Sequence, residues 1–133
     1  MNIQTLIAEL NYLTMEVQTH SEDTQVFIWE NGDRHYITHI DTCTFEKGQN
    51  EIDIAAFDPD NCPDNPKFIT IGDLIKGLTL AATLGHLDEK AQVFIYSTNN
   101  NDNIGWRYPI SMVDSSGQDF FIDLNADNSI KLR

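Results

Sequence analysis

The chain has 133 residues and a net charge of −13, and 41% of its residues are hydrophobic. Such a length suits one ordinary hydrophobic core, and the apolar content excludes a disordered acidic chain. The sequence has neither the roughly 20 consecutive apolar residues of a membrane span nor the basic start and apolar stretch of a signal peptide. We therefore expect a globular protein located in the cytoplasm.

The first half of the chain predicts one helix followed by three strands. Apolar residues recur at helical spacing over residues 3–18, and Asn2 stands where an N-cap is expected. The strands are predicted at residues 25–29, 34–41 and 51–55, where apolar and β-branched residues are frequent. Asn31-Gly32 lies between the first two strands and is typical of a tight hairpin turn.

The second half repeats this order of elements. Thr24-Gln25-Val26-Phe27-Ile28-Trp29 returns as Ala91-Gln92-Val93-Phe94-Ile95-Tyr96, and a helix that begins with a Thr70/Asp73 capping box precedes the second copy. Strands are predicted at residues 92–96, 107–114 and 120–124. The pattern predicts an α+β fold made by tandem duplication of a helix-strand-strand-strand unit. Each half is expected to form an antiparallel sheet with one helix, and the halves to be related by a pseudo-two-fold axis.

The same pattern predicts the domain organisation. Residues 1–56 form the first repeat, residues 57–69 an acidic linker that contains proline, and residues 70–133 the second repeat. Each half alone is marginal in size, so the two are expected to share one core. Residues 1–66 carry thirteen acidic and two basic residues, whereas residues 67–133 carry eight acidic and six basic residues. The acidity therefore belongs mainly to the first repeat and the linker.

Few residues are candidates for catalysis or metal binding. The sequence has no nucleophile elbow, phosphate-binding loop, dinucleotide motif or zinc-binding pattern, which favours a protein that is not an enzyme and has no cofactor. His35 and His39 lie four apart on a predicted strand, too far apart to share an ion. His20 and His86 follow the two helices, where they are interpreted as structural caps. Cys43 and Cys62 are interpreted as free thiols.

Other polar residues recur between the halves, and Arg34 and Arg107 are the most informative of them. Arg34 could form a cross-strand pair with Asp41 or bracket a small pocket with it, and the second half would then hold an equivalent pocket near Arg107 and Asp114. An ion pair at the end of a strand is the favoured interpretation.

Two resemblances add to this picture. Asp60-Asn61-Cys62-Pro63 is similar to the calcium-binding type 3 repeats of thrombospondins, but no further element of that repeat is present, and residues 58–64 are interpreted as a stiff linker. Each half, with its Ile-x-x-Leu-Ile-x-x-Leu helix, polar turn and Gln-Val-Phe-Ile strand, resembles small phage and prophage proteins of unknown function. That resemblance implies a mobile-element context, in which small, acidic, cytosolic proteins often occupy a surface of a host protein, including nucleases of the CRISPR and restriction systems.

Charge and resemblance together predict a non-enzymatic protein that binds and inhibits a host nucleic-acid-binding or defence protein of the CRISPR or restriction type. Its carboxylates would replace phosphates on a basic surface, without binding nucleic acid or membrane directly. The predicted partner-binding residues are Glu22, Asp23, Glu30, Asp33, Glu46, Glu51, Asp58, Asp60 and Asp64. Two alternatives stay open: a structural or assembly protein whose charge serves solubility, and a small-ligand sponge with pockets near Arg34 and Arg107. The chain is expected to be a monomer that imitates a homodimer, or a homodimer.

Overall fold

A computed structural model of the chain describes residues 1–16, 20–42, 50–57, 65–68, 70–97, 105–115, 121–130 and 132. The described residues include two helices and six strands. In chain order they are α1 (Ile3–Glu16), β1 (Gln25–Glu30), β2 (Asp33–Thr42), β3 (Glu51–Phe57), α2 (Ile71–Leu84), β4 (Gln92–Ser97), β5 (Trp106–Asp114) and β6 (Phe121–Ala126).

The six strands close into a barrel in which the spatial order of the strands follows the chain. Four neighbouring pairs are antiparallel, but β1 pairs with β6 in parallel and β3 pairs with β4 in parallel. The predicted fold class, a tandem duplication with antiparallel sheets, is therefore wrong. The apolar pattern of each strand shows which side chains face a core, whereas parallel pairing between distant segments leaves no local pattern in the sequence.

One cluster of buried side chains fills the barrel and extends under the helices. Five of the six strands contribute fully buried members, Ile28, Ile37, Ile54, Ile95 and Leu124 among them, and β5 contributes Ile110, which is 3% exposed. Leu6 and Leu10 of α1 and Leu74 and Leu78 of α2 join the same cluster at helical spacing. A single core therefore includes residues from both halves of the chain.

Both helices are attached at the end of the barrel where β1 and β4 begin, which we call the helical end. The main chain of Ile3 in α1 donates to Ala91 O at 2.8 Å, just before β4, and that of Ile71 in α2 donates to Thr24 O at 2.9 Å, just before β1. These bonds satisfy N–H groups that the first turn of a helix leaves without partners. Each helix start is thereby tied to the turn that precedes the strand of the other half.

Several local predictions are confirmed. Asn31 and Gly32 both have positive φ and form the two-residue turn between β1 and β2, the conformation that Asn-Gly favours. Asn2 Oδ1 accepts a hydrogen bond from the main chain of Thr5 at 2.8 Å and caps α1. Thr70 Oγ1 accepts from the main chain of Asp73 at 3.1 Å and caps α2. Short-range signals of this kind need no tertiary information.

The barrel core predicts that two isoleucine substitutions differ in how far they lower the free energy of unfolding. Ile54 is fully buried and Ile130 is 45% exposed. We expect Ile54→Ala to lower the free energy of unfolding by about 2 to 5 kcal/mol, because it leaves a cavity, and Ile130→Ala to change it by roughly 0.5 kcal/mol or less. Equilibrium unfolding in urea measures both values, and similar losses at the two sites would contradict the described core.

Candidate binding surface

Helix α1 carries apolar side chains on its exposed face as well as its buried face. Ile3, Leu6, Leu10 and Leu13 are its buried residues. On the solvent side, Tyr12 is 60% exposed and Met15 is 78% exposed. A surface helix of a soluble protein usually presents polar residues there, so these side chains point to a surface with a binding role.

A groove of about 760 Å³ runs between α1 and β5, and we call it the α1–β5 groove. One wall is formed by α1, with Ala8, Glu9 and Tyr12, and the other by Met112 and Val113 of β5. The ladder between β5 and β6 shifts register between Ile110 and Met112, and such a bulge changes the direction of the side chains around it. Met112 is 48% exposed beside the groove.

A second groove, of about 460 Å³, lies on the opposite side of α1, between α1 and α2. Gln4 and Ala8 line both grooves, so α1 forms a ridge between them. Ile7, Ala82 and Leu87 supply apolar surface, whereas Asp88 and Glu89 lie at the margin. The charged residues that line the two grooves, among those described, are all acidic: Glu9, Asp88 and Glu89.

The acidic margin is fixed by a short hydrogen-bond network. Asn50 Nδ2 donates to Asp88 Oδ1 at 2.7 Å, and the main chain of Lys90 donates to the same oxygen at 2.8 Å. The bond from Asn50, followed by that from Lys90, lowers the pKa of the Asp88 carboxyl. The carboxylate therefore connects the segment before β3 with the segment before β4.

The two described arginines form ion pairs on the outer wall of the barrel. The Arg34 guanidinium on β2 reaches across β1 to Asp123 on β6, with Nε 3.0 Å from Oδ1. It also stacks on Trp29 and Phe121, with Cζ 5.0 Å and 4.5 Å from the two ring centroids. This ion pair spans the parallel seam between β1 and β6. The predicted pair with Asp41 is wrong, because Arg34 and Asp41 lie roughly 23 Å apart along one strand.

Arg107 on β5 makes a similar crossing over β4. Its guanidinium donates to Asp53 at 2.8 Å and to Glu51 at 2.9 Å, both on β3, and Cζ lies 4.1 Å from the Phe94 ring centroid. Burial tends to lower the pKa of Arg107, but the two carboxylates outweigh it and the pKa is raised. The pKa of Asp53 is also raised: burial is the largest single cause, Arg107 opposes it, and repulsion from Glu51 and Asp41 adds to it.

A buried acid and a buried histidine face the barrel interior at the end opposite the helices. Glu30 and His35 are 6% and 4% exposed, and Glu30 Oε2 lies 3.5 Å from His35 Nε2. Within the described residues this oxygen accepts no hydrogen bond. Side chains this deeply buried present almost no surface to a partner.

The structure does not bring the predicted partner-binding residues together. Glu22 and Asp23 are exposed at the helical end, in the turn that contacts the start of α2. Asp33 is exposed at the other end of the barrel, roughly 17 Å away along β1. Glu30 is buried, and Glu51 is bonded to Arg107. Glu46, Asp58, Asp60 and Asp64 lie outside the described residues, as do Cys43, Cys62 and the calcium-like segment.

The histidines also lie apart from one another. His35 contacts Glu30, His39 Nδ1 is 2.9 Å from Thr38 Oγ1, His20 is buried, and His86 is exposed in the turn after α2. No group of three or more His, Cys, Asp or Glu side chains is placed to hold a metal ion in the described part of the chain. The described helices include none that is long and apolar enough to cross a membrane.

The sequence did not predict Glu9, Tyr12 or Met112 as binding residues, and all three line the α1–β5 groove. A signal for Tyr12 is present in the sequence, since Tyr12 and Met15 interrupt the polar face of a helix whose apolar face is already complete. Met112 carries no comparable signal, because its place beside α1 depends on the packing of β5 and on the bulge.

Comparison with known proteins gives no relative: no protein-family model, curated protein or solved structure matches the chain. The geometry of the described residues therefore carries the functional argument.

The ion pairs of Arg107 predict that removing its charge lowers the free energy of unfolding, and that the size of this loss depends on pH. In Arg107→Met, two partly buried carboxylates lose their cation, and we expect the free energy of unfolding at pH 7 to fall by about 2 to 3 kcal/mol. The folded-state pKa of Asp53, already raised, rises further without Arg107. The folded state then binds more protons than the unfolded state as Asp53 titrates, so the loss should be smaller at pH 4 than at pH 7.

Urea unfolding of Arg107→Met at the two pH values measures this effect. Arg34→Met is the comparison, since its side chain is 39% exposed and faces a single carboxylate, and we expect a loss of about 1 kcal/mol. A loss in Arg107→Met that grew toward low pH would contradict the assigned pairing.

The hydrogen bonds to Asp88 predict a second contribution to stability that depends on pH. A lowered folded-state pKa contributes stability above the unfolded-state pKa and loses it as pH falls through the folded value. Asp88→Ala should therefore lower the melting temperature at pH 7 and have a smaller effect near pH 2.5. Glu89→Ala, at the adjacent exposed acid, is the control and should show little effect at either pH. Equal effects of the two substitutions would contradict a role for the Asp88 hydrogen bonds.

Proposed function

We propose that this protein is a non-enzymatic binding protein whose acidic surface occupies a basic site on a nucleic-acid-binding protein and blocks it. The proposed class of target is a host defence nuclease, and the proposed source is a phage or another mobile element. The observation that carries the proposal is the distribution of charge: the described arginines are used in the barrel wall, whereas carboxylates occupy the helical end.

The acids exposed at this end outnumber the described cations near it, of which Lys90 directly precedes β4. Arg34 and Arg107 are bonded to carboxylates across the parallel seams. Three lysines are described, Lys67, Lys76 and Lys90, and none of them forms a salt bridge within the described part of the chain. Several acids at the helical end have exposed side chains: Glu9, Glu16, Glu22, Asp23, Asp88 and Glu89. This distribution favours association with a basic surface and repels nucleic acid.

A nucleic-acid-binding protein is the partner class that fits such a surface best. Its binding groove already carries lysine and arginine side chains placed to pair with phosphates, and carboxylates can pair with the same groups. Binding of this kind depends on electrostatic attraction and weakens as salt screens the charges.

Affinity capture followed by binding measurements on the purified partner tests the proposal. The full chain is immobilised, a bacterial lysate is passed over it at 50 mM salt, and the retained proteins are identified and purified. We expect a retained protein that binds nucleic acid, loses its nucleic-acid substrate when this chain is added, and binds the chain roughly tenfold or more weakly at 300 mM salt.

Two charge variants test whether the exposed acids of the helical end contribute to this binding. Glu22→Gln with Asp23→Asn neutralises the exposed turn at the helical end and should weaken the purified partner's binding. Glu30→Gln neutralises an acid that is 6% exposed and should leave binding unchanged after its fold is verified by circular dichroism. A partner that binds equally tightly at both salt concentrations and retains its nucleic acid would contradict the proposal.

Assembly of the chain with itself is the second candidate function, because several large apolar side chains are exposed. Besides Tyr12, Met15 and Met112, they include Leu80, which is 59% exposed, and Leu84, which is 72% exposed. Sedimentation equilibrium distinguishes the two functions. A stable oligomer of the isolated chain that is insensitive to salt would favour assembly, whereas a monomer would favour a different protein as partner.

A further inference from the structure

We infer that the α1–β5 groove binds an amphipathic helix of the partner, with leucine-like side chains against Ala8, Tyr12 and Met112 and basic side chains against Glu9 and Glu16. This inference rests on the proposed function, because it takes the partner to be basic, and it adds the site and the form of the bound segment.

The groove presents a broad apolar surface. Tyr12 and Met112 are 60% and 48% exposed, and both line the groove. Its volume of about 760 Å³ exceeds what one side chain fills. Methionine side chains are flexible and adapt to the shape of a ligand, and they are frequent on surfaces that accept amphipathic helices. The groove therefore has the area and the adaptability that a helical segment needs.

Helix α1 has a length and a spacing of side chains that suit a bound helix. The 14 residues of α1 span about 21 Å, enough to accompany four turns of a bound helix. Ala8, Tyr12 and Met15 follow one another at intervals of four and three residues, so they form a stripe along α1. A bound helix that lies along this stripe would present side chains at the same intervals, which is the helix-in-groove mode of recognition.

The charged side chains on this side of α1 are acidic. Glu9 lines the groove, and Glu16 is exposed two turns further along α1, about 10 Å away. No lysine or arginine lines the groove among the described residues. Basic side chains spaced seven apart on the bound helix would meet both carboxylates. An acidic segment, including one from a second copy of this chain with its net charge of −13, would be repelled.

A designed peptide tests the inference even while the partner is unidentified. The probe is a 14-residue peptide of leucine and lysine in which leucine repeats at helical intervals, and the control is a scrambled peptide of the same composition. We expect the helical probe to bind the full chain at least roughly tenfold more tightly than the scrambled peptide, with NMR shifts concentrated in α1 and β5.

Substitutions in the groove provide the decisive comparison. Ala8→Arg places a long, positively charged side chain in the groove from an exposed helical position and should weaken the probe's binding roughly tenfold or more. Glu9→Gln with Glu16→Gln should weaken it about threefold to tenfold at 50 mM salt, and less at 500 mM salt. Glu22→Gln with Asp23→Asn has the same change in charge outside the groove and should leave the probe's affinity within about twofold.

The outcomes separate this inference from the proposed function. If Ala8→Arg leaves the affinities of both the probe and the purified partner unchanged while Glu22→Gln with Asp23→Asn weakens the partner, the groove inference is wrong and the proposed function stands. If no basic partner is found but the probe binds as expected, the groove stands and the proposed target class is wrong. Probe shifts that map to the barrel wall instead of α1 and β5 would overturn the groove assignment.

Discussion

Closure of the barrel through two parallel seams is the constraint on which the rest of this structure depends. Parallel neighbours must begin at the same end of a sheet, so the chain has to travel back along the barrel before β4 begins beside β3. Helix α2 begins at the helical end, where Thr70 bridges Gln25 at the start of β1. Asn2, before α1, bridges Gln92 at the start of β4. The topology thus places both helix starts at one end.

The same seams determine how the arginines are used. Arg34 reaches across β1 to β6, and Arg107 reaches across β4 to β3, so each guanidinium joins strands on the two sides of a parallel pair. Aromatic rings under both guanidinium groups hold them flat against the wall. Because both described arginines are used in the wall, only lysines such as Lys90, whose charge acts on Asp88, offset the acids of the helical end. Barrel stability and surface charge are therefore coupled.

The helical end combines two properties, exposed apolar area and an excess of acidic over basic side chains. Apolar area contributes binding free energy, and the carboxylates select the charge of the ligand. Neither property alone defines a site, since acidic surfaces also serve solubility and isolated exposed apolar residues are common. Their coincidence along α1, with Glu9 and Tyr12 lining the same groove, supports a binding role.

What the sequence determined by itself was local. The faces of α1 and α2, the caps at Asn2 and Thr70 and the Asn31-Gly32 turn follow from residue spacing and from backbone preferences that act within a few residues. The apolar strands were visible for the same reason, although their alternation did not show how they pair.

Only the tertiary structure decided the rest. It paired β1 with β6, joined Arg34 to Asp123 instead of Asp41, buried Glu30 beside His35, and placed Met112 opposite Tyr12. These contacts connect residues brought together by barrel closure or by strand register, and a one-residue shift in register changes which side of a strand faces the core. Local spacing predicts whether a side chain is apolar, charged or turn-forming, but its partner depends on how the whole barrel closes.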